Sequence, residues 1–157
     1  MSLAVAHRPS RLSRRSRTTT VKRIANHILA HLGLEKSELS VVLCDNAFIQ
    51  DLNRQWRQKD RPTDVLSFPA AEAAGVEAHR RDPDGHPLVL GDVVISLDVV
   101  HERVGEDGEI LEISRLLVHG ITHLIGHDHI SDADAKKMET VEKELWGVIS
   151  TQFHLNT

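Results

Sequence analysis

The sequence predicts an α+β fold: a single domain over 1–157, built on a small mixed sheet of about four strands packed with helices. Three observations carry that reading. Strand-like and helix-like periods alternate along the chain, no internal repeat or linker interrupts them, and 157 residues is the size of one ordinary domain, able to bury about two thirds of the surface its unfolded form exposes.

The elements follow in order. Leu3-Ala4-Val5-Ala6 reads as a short opening strand. From Thr20 the apolar positions Val21, Ile24, Ala25, Ile28, Leu29 and Leu32 keep a helical period, and Gly33 stands where a C-terminal capping glycine belongs. Leu39 to Cys44 is apolar and β-branched, a strand, after which Asp45 can cap a helix with Phe48, Ile49, Leu52 and Trp56 on one face, ending near Gln58. Val65 to Phe68 is a strand closed by Pro69, residues 70 to 87 read as a flexible loop, and Leu88 to Ser96 is another strand. A short helix near Val99 and a loop through Gly105 and Gly108 lead to a strongly apolar helix from Ile110 to Ile125. Ser131-Asp132-Ala133-Asp134, a capping-box variant, opens the last helix.

Composition narrows the class. The one cysteine, Cys44, lies in an apolar run, has no partner for an internal disulfide, and reads as a small buried hydrophobe suited to a reducing compartment. No stretch approaches the roughly 20 apolar residues of a membrane span, and no secretory signal is recognisable, so a soluble, cytoplasmic protein is expected. The net charge of −4 hides an asymmetry: residues 1–23 hold seven of the 19 basic side chains and no acidic one, leaving 12 basic against 23 acidic groups, a net −11, in the rest. The Arg- and Ser-rich start, a flexible basic segment over about 1–19, is open to three readings: transit peptide, phosphate-binding arm, or solvated lead-in to the first element. The acidic body argues against broad duplex binding while leaving room for a local basic site.

His119-Gly120-Ile121-Thr122-His123-Leu124-Ile125-Gly126-His127-Asp128-His129 gathers four of the chain's eleven histidines. On a helix, His119 and His123 share a face as a two-point metal grip. Gly126 can end the helix in the left-handed conformation and turn the chain back, so that His129 supplies a third imidazole. If the helix ran on instead, His127 would continue the series and replace His129. The spacing H-x3-H-x2-G-x2-H matches that of the HExxHxxGxxH zinc proteases, and three neutral imidazoles favour zinc, with nickel or copper as laboratory competitors. Gly120 replaces the glutamate that serves those proteases as general base. Asp128 is read either as orienting a ligating ring or as a solvent-facing loop residue.

A second motif, Arg54-Gln55-Trp56-Arg57-Gln58-Lys59-Asp60-Arg61, concentrates four cations ahead of a strand. It suits a solvated helix end, where cations complement the dipole, or, beside a metal, bidentate binding of a phosphodiester by a guanidinium.

Taken together, LNRQWRQKDRPTDVLSFP at 52–69, LGDVVIS at 90–96 and LLVHGITHLIGHDH at 116–129 make the chain resemble the YbeY endoribonucleases, also called rRNA maturation factors, from about Val21 to Val148. The resemblance implies a zincin-like α+β fold and a zinc-dependent endoribonuclease specific for single-stranded RNA, with one Zn2+ per chain. It further implies action on rRNA of the small ribosomal subunit, in 16S rRNA 3′ end maturation and ribosome quality control, with neither DNA nor membrane as partner. The zinc ligands it implies are His119, His123 and His129, and the functionally required arginine is Arg57; these four make up the implied catalytic set. Thr122 and His127 depart from the family's usual leucine and aromatic residue, and the Arg-rich first twenty residues are unlike its usual start. On this reading zinc activates a water or polarises the phosphate while Arg57 neutralises developing charge, and the nucleophile is either water or the RNA's own 2′-hydroxyl. Five aromatics and no tyrosine leave little for base stacking, so backbone contacts are expected to dominate RNA affinity. The rival readings are a non-catalytic zinc-containing ribosome-associated factor and a metallopeptidase, the latter opposed by Gly120.

Overall fold

The computed structural model describes residues 2–8, 15–76 and 87–155, with the backbone alone for 2–8, 15, 16 and 72. Strand β1 (Ser2–Arg8) is followed by helix α1 (Arg15–His31), β2 (Glu38–Cys44), α2 (Asn46–Arg57) and β3 (Val65–Pro69). A 3-10 helix at Ala71–Gly75 stands where a loop was expected. Residues 77–86 of that expected loop lie outside the described residues. Then come β4 (Val89–Ser96), α3 (Leu97–Val104), α4 (Glu109–Leu124) and α5 (Asp132–Gln152).

The sheet has the order β1-β2-β4-β3 and is mixed, as expected. β2 runs parallel to both β1 and β4, while β3 is antiparallel to β4. Parallel neighbours need helical crossovers, and α1 and α2 begin the two such connections. Alternation along the strands then divides the core. Val41, Leu43, Val93 and Ile95 face a large cluster with α1, α4 and α5, where Ile24, Ile28, Leu29, Ile113, Leu117, Ile121 and Ile149 are fully buried. Cys44, Leu66 and Val94 face the other way, onto Ile49 of α2, in a smaller cluster whose outer members Val42, Phe48, Leu52 and Phe68 are only partly covered. Burial beside Asp45 and Asp98 pushes the Cys44 thiol up to about 12, in keeping with an inert core cysteine.

Helix ends obey local chemistry. Asp45 accepts from the Phe48 N–H at 2.9 Å, and Ser131 accepts from the Asp134 N–H at 3.1 Å. α1 ends in a Schellman turn: the Leu34 N–H donates to Leu29 at 2.8 Å and the Gly33 N–H to Ala30 at 3.1 Å, with Gly33 at φ 72. Two expectations need correcting. The opening strand expected at Leu3–Ala6 runs over Ser2–Arg8 and pairs in parallel with Glu38–Cys44, whereas α1, expected from Thr20, starts at Arg15, five residues ahead of the apolar pattern. Its first turn is anchored by charge instead: Arg17, 3% exposed, forms an ion pair with Glu109, 5% exposed, at the start of α4. Trp56, expected on the covered face of α2, is 61% exposed.

The buried Glu109 carboxylate faces both Arg17 and His101, and removing one member of a desolvated charged cluster is costly. Glu109→Ala is therefore expected to lower unfolding stability by about 3–5 kcal/mol, read from urea denaturation; a loss below about 1 kcal/mol would show that the pair contributes as little as a surface one.

Candidate active site

Helix α4 lies on the sheet because of a missing side chain. A Cβ on Gly120 would come within 2.7 Å of Val93 Cγ1 and 3.2 Å of Ser67 Oγ, and the Ser67 hydroxyl donates to the Gly120 carbonyl at 3.0 Å. With Gly120 turned into the sheet, His119 and His123 emerge together at the edge of the helix, their ring centres 4.6 Å apart. Glutamate at position 120, as in the zinc proteases, has no space here.

The third ring arrives by a chain reversal. α4 ends at Leu124, and Gly126 takes φ 101. The Gly126 N–H donates to His123 at 3.0 Å and the His127 N–H to Thr122 at 3.3 Å, the same Schellman geometry that closes α1. His129 then sits with its ring centre 5.4 Å from His123 and 6.3 Å from His119. Among the described residues, no three or more His, Cys, Asp or Glu side chains close to metal-ligand geometry. The rings nonetheless fit such a role, because three imidazoles on one tetrahedral ion at about 2.0–2.1 Å have centres about 5 Å apart.

Hydrogen bonding assigns the ring tautomers. His123 Nδ1 lies 2.9 Å from the His127 carbonyl; a carbonyl only accepts, so Nδ1 carries the proton and Nε2 keeps its lone pair. His119 Nδ1 lies 3.3 Å from Glu142 Oε1, and a carboxylate acceptor imposes the same tautomer. Both Nε2 atoms are thus available as ligands, oriented from behind in the manner of histidines at metal sites. His127, the alternative third ligand, takes part through its carbonyl, while Asp128 accepts from the Ile130 N–H at 3.1 Å and shapes the loop. The Thr122 hydroxyl is satisfied by Val118 at 2.6 Å.

Across a cleft of about 300 Å³ from His119 and His123 stands Arg57, the last residue of α2. Its Nη2 donates to the Ser67 carbonyl at 2.8 Å and its Nη1 to Trp56 at 3.3 Å, and its guanidinium lies 5.0 Å from the Phe68 ring centre. Of the other cations in that motif, Arg54 pairs with Asp51, and Lys59 and Arg61 are exposed. All four residues singled out in the sequence therefore converge on one region. Two contributors escaped sequence reasoning. Glu142 keeps phase with the buried stripe Met138, Leu145 and Ile149 of α5, a pattern that marks its helix face but not its contact with His119; Ser67, which holds Gly120 by its hydroxyl and Arg57 by its carbonyl, carried no local signal.

Such an arrangement defines a class: a small α+β protein whose apolar helix and the turn after it present imidazoles to a cleft closed by a guanidinium, suited to an anionic substrate. The family model for endoribonuclease YbeY matches residues 5–149, and the chain belongs to the endoribonuclease YbeY family. The match starts well ahead of Val21, where the motif resemblance begins. The chain is 49% identical over 119 residues to endoribonuclease YbeY of Anaeromyxobacter dehalogenans, covering 74% of this chain and 56% of that one. It is 41% identical over 140 residues to that of Persephonella marina, covering 87% and 86%, and 43% identical over 151 to that of Myxococcus xanthus, covering 94% and 47%. The chain thus spans about half the length of two of these relatives. A Thermotoga maritima protein solved in solution shares the fold, with a TM-score of 0.63 at 24% identity over 97% of this chain and 91% of that one.

Two expectations follow from the geometry. Gly120→Ala forces Val93 to shift, so stability should fall by about 1–3 kcal/mol, seen as a lower Tm; an unchanged or higher Tm would mean that helix propensity outweighs the clash. Burial first, and then the neighbouring His119, hold the His123 imidazole below its ordinary value. The unfolded chain therefore takes up the proton first on acidification, and stability should be lost as pH falls through about 6.5. In chelator-treated protein Tm should drop between about pH 7 and 5, less so in His123→Ala; equal slopes in the two proteins would remove His123 as the cause.

Proposed function

We propose that this protein is a metal-dependent endoribonuclease acting on single-stranded RNA, with zinc held by His119, His123 and His129 and the scissile phosphodiester bound by Arg57. The observation that carries the reading is the pair of imposed tautomers, which leave the Nε2 atoms of His119 and His123 open beside His129 and across the cleft from a guanidinium. Membership of the endoribonuclease YbeY family supports the reaction. A zinc ion bound there would supply Lewis-acid chemistry for phosphodiester cleavage.

The chain's own residues do the remaining work. Arg57 keeps donors beyond the two spent on Ser67 and Trp56, and these bind non-bridging phosphate oxygens and offset the charge that builds in the transition state. Glu142 and the His127 carbonyl hold the protons on the two Nδ1 atoms, fixing which nitrogen faces the cleft. The packing of Gly120 supports phosphodiester rather than peptide chemistry, since the peptidase carboxylate has no place. The resemblance points the activity to rRNA of the small ribosomal subunit, in 16S 3′ end maturation and quality control, in the cytoplasm.

The test is cleavage of a labelled single-stranded RNA by wild type, His123→Ala and Arg57→Ala, purified in parallel, with zinc content and folding measured in each. Wild type should cut, His123→Ala should be folded, zinc-depleted and inactive, and Arg57→Ala should lose about 10²–10³-fold. Chelation should remove activity with most of the structure intact, and activity should fall about tenfold between ~50 and ~200 mM salt. If wild type and His123→Ala cut alike, or neither cuts, the non-catalytic ribosome-associated factor takes its place.

A further inference from the structure

Arg57 belongs to two concavities. On one side is the histidine cleft; on the other, a groove of about 580 Å³ opens between α2 and the outer face of the sheet, and the two share Arg57 and Pro69. Three of the chain's five aromatic side chains, Phe48, Trp56 and Phe68, line that groove. Aromatic scarcity over the whole chain leaves little for stacking on average, but the fold gathers most of the rings beside Arg57, which faces the histidines. Trp56 is 61% exposed, a large apolar surface left to solvent on a helix that has an unexposed face available. Its backbone carbonyl accepts from the Arg57 guanidinium, and both side chains line the groove.

From this we infer that the groove is a base-binding subsite: it takes the nucleobase flanking the phosphate held at Arg57, stacked against Trp56 and Phe68. The inference rests on the reading of the histidine cleft as the place of the scissile phosphodiester. Continuity with that cleft through Arg57 selects a nucleotide over an unrelated partner, since a strand with one phosphate on the guanidinium has its neighbouring base at the groove mouth. Asp92 on the groove wall disfavours a second phosphate there and accepts from base N–H groups instead. The subsite is sequence-tolerant, because every base has a face to stack, and it is confined to single strands, whose bases are free to leave a helix.

The test measures binding rather than turnover, in chelator so that no RNA is cut. Fluorescein-labelled single-stranded pentaribonucleotides are compared with a pentamer of the same charge whose sugars are abasic, by anisotropy with wild type, Trp56→Ala and Trp56→Phe. Trp56→Ala should weaken the base-bearing oligonucleotide roughly tenfold, the scale of one base–aromatic stack, and leave the abasic one unchanged, while Trp56→Phe keeps most of the affinity. In a Trp146→Phe background, where Trp56 is the one remaining indole, the base-bearing oligonucleotide should quench fluorescence and the abasic one should not. Equal weakening of both oligonucleotides, no weakening of either, or no quenching would overturn the subsite and leave the groove to a protein partner. Cleavage, tested through His123→Ala, is read independently of these binding constants, so failure of the nuclease reading and failure of the groove are told apart.

Discussion

The absence of a side chain at position 120 is the constraint on which the rest of the site depends. Helices normally stand off a sheet by the length of their side chains, and a single Cβ at Gly120 already intrudes on Val93. Where the helix seats flush, Ser67 of β3 reaches the Gly120 carbonyl, and the same residue's carbonyl receives Arg57 from α2. One strand residue thereby sets the distance between the helix that carries the imidazoles and the helix that carries the guanidinium. The two sides of the cleft are referred to one rigid element rather than to each other through a loop, which is what positioning of charged groups to fractions of an ångström requires.

The turn after α4 performs a second task with the same economy. A glycine at positive φ stops the helix, and in stopping it aims the His127 carbonyl at His123 Nδ1. The residue whose imidazole competes in the sequence for the third position thus serves through its backbone, and the reversal carries His129 up to the other two rings. His119 is handled from elsewhere, by Glu142 of α5. The tautomers of the two helical histidines are therefore set by elements far apart in sequence and adjacent only in the fold.

This explains what could be read from the sequence. Periodic apolar residues, Asp45, Ser131 and the two C-terminal glycines are local signals, and they located the strands and the helix ends to within a few residues. The histidine window was legible because helical spacing and a glycine break are themselves local. The start of α1 was not, since Arg17 is held by Glu109 some ninety residues away, and neither were Ser67 and Glu142, whose roles exist only across strand and helix contacts. Trp56 misled for a related reason: its phase on α2 belongs to the apolar face, but an open groove separates it from the sheet residues Phe68 and Pro69 and leaves it exposed.

The same reasoning separates this site from the proteases whose histidine spacing it shares. Spacing along a helix and a glycine turn determine where imidazoles go, and so select for a metal, but they say nothing about the reaction, which is decided by the residue beside the first histidine and by what faces it. In the proteases that residue is a carboxylate, which handles protons for water attacking a neutral amide. Here it is buried backbone, and the cleft is faced by a permanent cation instead. A neutral amide gains little from a guanidinium before attack, whereas a phosphodiester arrives charged and gains further charge at its transition state. On the proposed reading, exchanging a carboxylate for a close-packed glycine, with an arginine brought in over the same strand, would turn a shared imidazole geometry from amide chemistry toward phosphate chemistry.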